Sequence, residues 1–273
     1  MIGSATELVQ GLGRRLTALR TVRQSADVAV RVRAIRGVDR DHVYESTFLQ
    51  AVSAFETFQE ELLFSSLLRK SGLRGVVPLV WFRNRAEAER VLLAGEKRAF
   101  LSWSNMRENI SRAETYLVGG RPFSRLRRHG KDLAVLETVT RVRNAVAHTS
   151  GTAIERFKSL SMGGLAPRKR TPAGYLQWAT GNATQHETLV DELERLAKAL
   201  AATSDRAARA LLRDEDAYKS GAEVGRGNYE CINCRTRISP TRVGPLPPCS
   251  NCNPGPCPHC GSTRASTYAR IHR

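Results

Sequence analysis

The sequence predicts a mainly α-helical protein, an antiparallel helical bundle followed by a small cysteine-rich domain. Apolar residues recur at helical spacing through the first two thirds of the chain. Hydrophobic residues make up 41% of the 273 residues, which is enough for a core in one or two domains. All six cysteines lie between Cys231 and Cys260, in a segment poor in large apolar residues. We therefore expect a helical domain over 1–213, a linker over 214–228 and a small domain over 229–273.

Two long helices are predicted at the start of the chain. The first covers about 7–35, and the second lies between residues 41 and 70, with Gly72 as its stop. The second helix has an amphipathic stripe of four apolar residues and one polar residue: Phe48, Val52, Phe55, Gln59 and Leu62. This stripe predicts the side of the helix that faces the core.

Capping residues and helix breakers mark the helices that follow. Asn84 is predicted to cap a helix through Lys97, and Ser104 another through about Val118. The segment 119–122 holds two glycines and a proline, which break the chain.

A further helix is predicted over about 131–149, with Gly151 as its C-terminal stop. Residues 152–172 are rich in Gly, Pro, Ser and basic residues, which indicates a long exposed loop. Helical spacing returns over 184–212, so this segment is expected to pack on the bundle. The following residues 214–228 are polar and Gly-rich without periodicity, which is typical of a linker.

The chain is strongly basic, with 43 Lys and Arg against 26 Asp and Glu and a formal charge of +17. Basic residues cluster at 31–36, 121–131 and 168–170. A nucleic acid explains this excess, because phosphate contacts dominate nonspecific affinity. A genome rich in Arg and Ala codons is the alternative source of the same bias.

No segment predicts a membrane span or an export signal. The longest apolar run, 76–82, is interrupted by Pro78 and is far shorter than the roughly 18 residues that a span needs. The first ten residues contain Glu7 and no apolar h-region. We therefore expect no membrane partner and a cytoplasmic location.

A short motif lies at the end of the helix predicted over 131–149. It reads RVRNAVAHTSG and places Arg143, Asn144 and His148 on the last turns. Helical spacing puts Arg143 on the apolar face, where a buried cation needs an anionic or hydrogen-bonding partner. Asn144 and His148, four residues apart, share a different face with Glu137 and Arg141.

The run from Arg143 to His148 resembles the R-x4-H signature of the HEPN superfamily, small helical bundles that include many RNA-cleaving toxins and defence ribonucleases. The upstream segment AVSAFETFQEELL is similar to the second helix of the RiboL-PSP-like branch, with the acid Glu56 directly after Phe55. The resemblance covers roughly residues 5–213. It implies a metal-independent endoribonuclease, with Arg143, His148, Asn144 and Glu56 as its catalytic residues and RNA as its partner.

RNA cleavage of this kind uses the 2′-OH of the substrate as the nucleophile. It needs a base for the hydroxyl proton, a cation for the phosphate and an acid for the leaving oxygen. Histidine, with an unperturbed pKa of about 6.5, transfers protons near neutral pH, and arginine offers a planar fork of donors to phosphate. Asn144 could fix the imidazole or a phosphate oxygen, and Glu56 could orient Arg143 or His148. The resemblance implies a product that ends in a 2′,3′-cyclic phosphate.

The five-residue separation between Arg143 and His148 sets a geometric condition. Residues five apart on an ideal helix point about 140° away from each other. The two side chains meet at one phosphate if the helix ends between them, or if two copies of the helix face each other across a two-fold axis. HEPN ribonucleases use the dimeric arrangement, so we predict a symmetric homodimer through this helix.

Other interpretations of the motif remain open. His148 could be a terminal cation that interacts with the helix dipole, and Arg143 a structural partner of Glu56. Some HEPN domains are inactive, so the alternative function is a noncatalytic nucleic-acid-binding or scaffold protein built on a HEPN dimer. By the same resemblance, the setting is toxin or defence biology, with an antitoxin or regulatory protein as a further partner.

The six cysteines form three C-x-x-C pairs, which predict a zinc ribbon. In a reducing compartment, clustered pairs of this kind indicate metal rather than disulfides. Tetrahedral zinc takes four thiolates from two such pairs, and a small segment without a core depends on the metal for its fold. The pairs are Cys231 and Cys234, Cys249 and Cys252, and Cys257 and Cys260.

The choice among the six thiolates is open. Gly261 follows Cys260 and permits the positive φ that a zinc knuckle favours, which supports the first and third pairs. The shorter spacing from Cys234 to Cys249 supports the first and second pairs, and a second metal shared among all six is a further alternative. A closed thiolate site is structural, so no chemistry is expected at the metal. The many arginines around it favour a module that binds nucleic acid or docks a protein.

Overall fold

The computed structural model is mainly helical. It describes residues 3–73, 75–80, 82–94, 100–128, 130–148, 150–160, 166 and 170–201, and short segments of the C-terminal region at 217–219, 223–224, 228–231, 237–239, 242, 244–245 and 267–271. The helices of the described residues are α1 (Ala5–Arg31), α2 (Gly37–Leu67), α3 (Arg85–Ala94), α4 (Met106–Tyr116), α5 (Ser124–Arg128), α6 (Gly130–Ala147), α7 (Gly151–Lys158), α8 (Pro172–Gln177) and α9 (Gln185–Ala201), with a 3-10 turn at Val118–Gly120.

The core is built around α2. Helix α1 begins at the capping box of Ser4 and Glu7 and packs along α2, and α9 packs against both helices. The whole predicted stripe of α2 is buried, including the polar Gln59, at 2% exposure. The prediction of a core-facing side on α2 is therefore confirmed.

Helix α6 crosses this core and positions the motif. Its buried residues Leu136, Val139, Val142 and Ala145 face inward, and the helix packs against α2, α5, α7, α8 and α9. It ends at Ala147, close to the end that the sequence predicts. A helix buried along one stripe leaves its other side open, and that side carries part of the motif.

The predicted N-cap is correct for α3 and one residue away for α4. Oδ1 of Asn84 accepts a 2.9 Å hydrogen bond from the backbone N–H of Glu87, as expected for the start of α3. The start of α4 differs from the prediction by one residue, because Asn105 rather than Ser104 is the N-cap and accepts from the N–H of Arg107.

The prediction of a loop over 152–172 is wrong at the N-terminal end of that segment, which is helical. Gly151 does not stop a helix but begins α7, and the side chain of Ser150 caps that helix by accepting from the N–H of Ala153. Helix α7 buries Ala153 and Phe157, and the Phe157 ring packs edge-on against Tyr175 of α8, with 5.8 Å between ring centroids. This apolar contact stabilises a short helix in a polar stretch of sequence.

The strands of the described residues are short. A hairpin of β1 (Ala179–Thr180) and β2 (Ala183–Thr184) precedes α9. The C-terminal strands are β3 (Ala217–Lys219), β4 (Glu223–Val224), β5 (Asn228–Cys231), β6 (Arg237–Ile238), β7 (Gly244–Pro245) and β8 (Thr267–Ile271). They form a four-stranded antiparallel sheet in the order β3-β8-β5-β6 and a separate β4-β7 pair. Because β3 and β4 lie within 214–228, the predicted linker contributes strands.

Across the described part of the chain, no helix combines the length and the apolar character that a membrane crossing needs.

Candidate functional site

Helix α6 presents the motif on two of its sides, as helical spacing predicts. Arg143 is half-buried and lines a small cavity between α6 and α2. Asn144 and His148 line an adjoining, larger groove together with Glu137 and Arg141. The two sides meet at the C-terminal end of the helix.

The end of α6 brings Arg143 and His148 together within one chain. The backbone N–H of His148 still donates to the carbonyl of Asn144 at 2.9 Å, but the residue lies beyond the helix and is exposed. Nε2 of its imidazole lies 3.5 Å from Nη1 of Arg143, at the outer limit of hydrogen bonding. The first of the two geometric conditions, a helix that ends between the residues, is thus met.

Asn144 completes this contact. Its Oδ1 accepts a 3.1 Å hydrogen bond from the same Nη1 atom of Arg143. The amide therefore holds the guanidinium at the helix end, next to the imidazole. Both contacts use Nη1 of Arg143, so Nη2 and Nε can donate to a further acceptor.

Glu56 approaches Arg143 from α2. Both residues line the small cavity, which also contains Phe55, Gln59 and Thr140. Burial raises the pKa of Glu56, and the positive charge of Arg143 lowers it only in part. The Oε1 atom is buried without a hydrogen-bond partner in the described part of the chain. Glu56 therefore interacts electrostatically with the guanidinium of Arg143, and it does not line the groove that holds His148.

The cavity between Glu56 and Arg143 is small. Its volume of about 20 Å³ is the size of one water molecule, and polar side chains line it alongside apolar ones.

The groove on the other side of α6 is much larger, about 860 Å³. Its floor is the polar face of α6, one wall is the start of α4 with the residues before it, and the opposite wall is α7. Ligand pockets of proteins commonly have volumes of about 300–1,000 Å³, so this groove is larger than a lone phosphate needs. His148 lies at the end of the groove where α6 meets α7.

Sequence reasoning missed the α7 wall of this groove. Thr152, Ala153, Arg156 and Ser159 line it at helical spacing, in a segment whose composition predicts a loop. The spacing of the buried Ala153 and Phe157 is the signal that indicates a helix there. Ser150 before this segment is a preferred N-cap residue and points the same way.

The cysteines of the predicted zinc site lie almost entirely outside the described residues. Cys231 falls in strand β5, whose backbone is described, and the other five cysteines are outside the description. Among the described residues, no group of three or more His, Cys, Asp or Glu is arranged to hold a metal ion. The zinc ribbon therefore stays a prediction from the sequence.

Comparisons with protein-family models, with curated proteins and with solved structures find no match to this chain. The chemistry of the site is therefore inferred from its own residues. An arginine fork, an imidazole and an amide meet beside the end of an open groove. The guanidinium can bind a phosphodiester, and the imidazole can transfer a proton to or from a neighbouring oxygen.

Proposed function

We propose that this protein is a metal-independent endoribonuclease of the HEPN type, which cleaves RNA through attack of the 2′-OH on the adjacent phosphate. The observation that carries the proposal is the 3.5 Å contact between Nη1 of Arg143 and Nε2 of His148, which lines the end of the α6 groove. A fixed cation and a proton acceptor side by side are the two groups that this reaction needs first.

The proposed steps use the residues of one chain. His148 accepts the proton of the 2′-OH, and the 2′-oxygen forms a bond to phosphorus. Arg143 stabilises the negative charge that builds on the phosphate oxygens, and Asn144 keeps the guanidinium in place. The bond from phosphorus to the 5′-oxygen breaks, and water supplies the proton to that oxygen. The products are a 2′,3′-cyclic phosphate and a 5′-OH, and His148 returns its proton to solvent.

Glu56 is proposed as a positioning residue for Arg143. Its carboxylate interacts with the charge of Arg143, and both residues line the small cavity rather than the groove. A carboxylate in that place favours one orientation of the arginine side chain and leaves the front of the fork for the phosphate.

A symmetric homodimer through α6 is part of the proposal. Since each chain brings its own Arg143 and His148 together, the dimer would shape the substrate site rather than assemble the pair. The likeness to HEPN proteins suggests toxin or defence biology, with an antitoxin or regulatory protein as partner and the zinc ribbon as an accessory binding module. Light scattering on the purified protein tests the dimer directly.

The decisive experiment is cleavage of end-labelled RNA by purified protein in EDTA. Wild type should cleave, and His148→Ala and Arg143→Ala should each lose at least about 100-fold in rate. His42→Ala is the matched control, because His42 is an exposed histidine on α2, roughly 20 Å along that helix from Glu56. Equal activity in all four proteins would assign the cleavage to a contaminant or to another site.

Expression in a bacterial host separates the nuclease from a noncatalytic scaffold. A nuclease slows growth, and His148→Ala relieves that effect while circular dichroism shows an intact helical fold. A scaffold has the same effect on growth with and without His148.

A further inference from the structure

The groove beside His148 carries two cations that the proposed cleavage does not use. Arg141 projects from the floor on α6 and Arg156 from the wall on α7. Nη1 of Arg141 donates to Oγ of Ser159 at 3.3 Å, and that Oγ donates to the carbonyl of Arg156 at 2.7 Å. The contact holds Arg141 across the groove, toward the end of α7 that bears Arg156.

The other charged residues that line the groove each have a partner of opposite charge. Arg107 pairs with Glu137 at 2.9 Å, and Glu108 lies 3.6 Å from Arg112. Neither Arg141 nor Arg156 has a carboxylate within ion-pair distance among the described residues. The groove therefore has a net positive charge that comes from these two arginines and attracts an anion.

The position of this charge relative to His148 indicates what the anion is. Arg141 lies six residues before Ala147, the last residue of α6, which is about 9 Å along the helix, and His148 follows beyond that end. That separation exceeds the size of one phosphate group, so the two residues suit two different phosphates of one strand. A polynucleotide backbone supplies such a series, and a mononucleotide does not.

The lining also indicates how the strand is recognised. Hydroxyl groups are common in the groove, at Ser102, Ser104, Thr140, Ser150 and Thr152. Thr140 already donates to the carbonyl of Leu136, and Ser102 and Ser104 contact each other. Ser150, which accepts from the N–H of Ala153, and Thr152 can donate to phosphate oxygens. The described residues that line the groove include no Phe, Tyr or Trp side chain, so base stacking contributes little to recognition along it.

We propose that Arg141 and Arg156 form a second phosphate-binding position, which holds a single-stranded RNA backbone beside the phosphate at Arg143 and His148. The identity of the strand as RNA rests on the proposed function. In-line attack by the 2′-OH requires a strand free to leave the A-form geometry, which explains why the groove takes a single strand. Recognition through backbone groups makes cleavage only weakly dependent on base identity.

The test is binding of a short fluorescent single-stranded RNA to the full-length His148→Ala protein, measured over a series of salt concentrations. Adding Arg141→Ala or Arg156→Ala should weaken binding several-fold and reduce the slope of log affinity against log salt by about 0.7 for each lost phosphate contact. Arg141→Lys and Arg156→Lys should keep the slope, because the charge remains. Lys158→Ala is the matched control, since Lys158 lies on α7 but pairs with Glu155 at 2.8 Å.

Cleavage assays separate this proposal from the proposed function. In otherwise wild-type protein, Arg141→Ala and Arg156→Ala should raise KM several-fold with little change in kcat. If cleavage depends on His148 but both variants bind and cleave like Lys158→Ala, the second phosphate position is wrong and the nuclease stands. If wild type cleaves no RNA while binding still depends on Arg141 and Arg156, the nuclease is wrong and the phosphate position stands.

Discussion

The side-chain amide of Asn109 on α4 donates a 2.9 Å hydrogen bond to Oε1 of Gln59 on α2, inside the core. Asn109 also donates to the carbonyl of Trp103 and accepts from Nη1 of Arg112, both at 2.8 Å. Gln59 in turn lines the cavity that contains Arg143. This buried amide pair therefore fixes α4, which forms one wall of the groove, to the helix behind the candidate site.

We expect Asn109→Leu to destabilise the protein by about 2–3 kcal/mol. The substitution leaves the Gln59 carbonyl group without its partner at 2% exposure, and an unsatisfied buried polar group costs about 1–3 kcal/mol. Urea unfolding followed by circular dichroism measures the change. Gln50→Ala is the control, because Gln50 is an exposed amide on α2 and should change stability by less than about 0.5 kcal/mol. Equal unfolding midpoints for the two variants would contradict the role of the amide pair.

Glu56→Gln should separate function from stability. Burial raises the pKa of Glu56 above the 4.5 of an exposed glutamate, so between these two values the folded state holds a proton that the unfolded chain has lost. The free energy of unfolding falls as pH rises through this window, and the loss persists at higher pH. The glutamine does not titrate, so the variant gains stability relative to wild type as pH rises above 4.5.

RNA cleavage by Glu56→Gln should fall at the same time, because Arg143 loses the neighbouring carboxylate that is proposed to position its guanidinium. The measurements are urea unfolding at several pH values and cleavage in EDTA. Glu89→Gln is the control for an exposed glutamate and should follow wild type in both. A variant that loses stability at high pH, or that cleaves at the wild-type rate, contradicts the assigned role of Glu56.

The sequence is sufficient to predict the helices that have a long amphipathic stripe. On α2, the stripe that ends at Leu62 marks the buried side correctly, since the helix is long and its apolar residues repeat over several turns. On α6, the same spacing separates Arg143 from His148 correctly between two sides. These features are local, because each depends only on the periodicity of one helix.

The rest of the site depends on contacts between distant segments. Helix α7 has only eight residues, and its helical state relies on the packing of Phe157 against Tyr175, which sequence spacing does not reveal. The meeting of Arg143 with His148 depends on the residue at which α6 ends, and helix ends are the least predictable part of an element. The groove could not be predicted at all, since its walls come from α4 and α7.

The cysteine pairs predict one tightly bound zinc ion for each chain. We expect Cys231→Ser, Cys234→Ser, Cys257→Ser and Cys260→Ser to lose the metal, while Cys249→Ser and Cys252→Ser keep it. Elemental analysis of the purified variants measures this directly. Removal of zinc by a strong chelator should make 229–273 sensitive to protease and leave the helical circular dichroism unchanged. Loss of zinc from the Cys249 and Cys252 variants instead would assign the site to the first and second pairs.

His186 on α9 is the strongest candidate for pH-dependent stability. It is fully buried, Nε2 lies 3.1 Å from Oγ1 of Thr47, and the Tyr44 ring packs edge-on at 5.5 Å between centroids. Burial lowers the pKa of His186 from 6.5 to about 4, with a further contribution from the charge of Arg23 and an opposing one from Glu187. The folded protein therefore keeps this imidazole neutral at a pH where the unfolded chain protonates it.

The free energy of unfolding should fall as pH drops from about 6.5 to 4, because in that window the unfolded chain binds a proton that the folded chain does not. A pKa difference of this size corresponds to roughly 3 kcal/mol. His186→Gln can keep a hydrogen bond to Thr47 but cannot titrate, so it should lose roughly 3 kcal/mol less than wild type across the window. His42→Gln, at an exposed position on α2, should follow wild type. Parallel curves for wild type and His186→Gln, from urea unfolding at a series of pH values, would show that the folded state accommodates a charged imidazole beside Arg23.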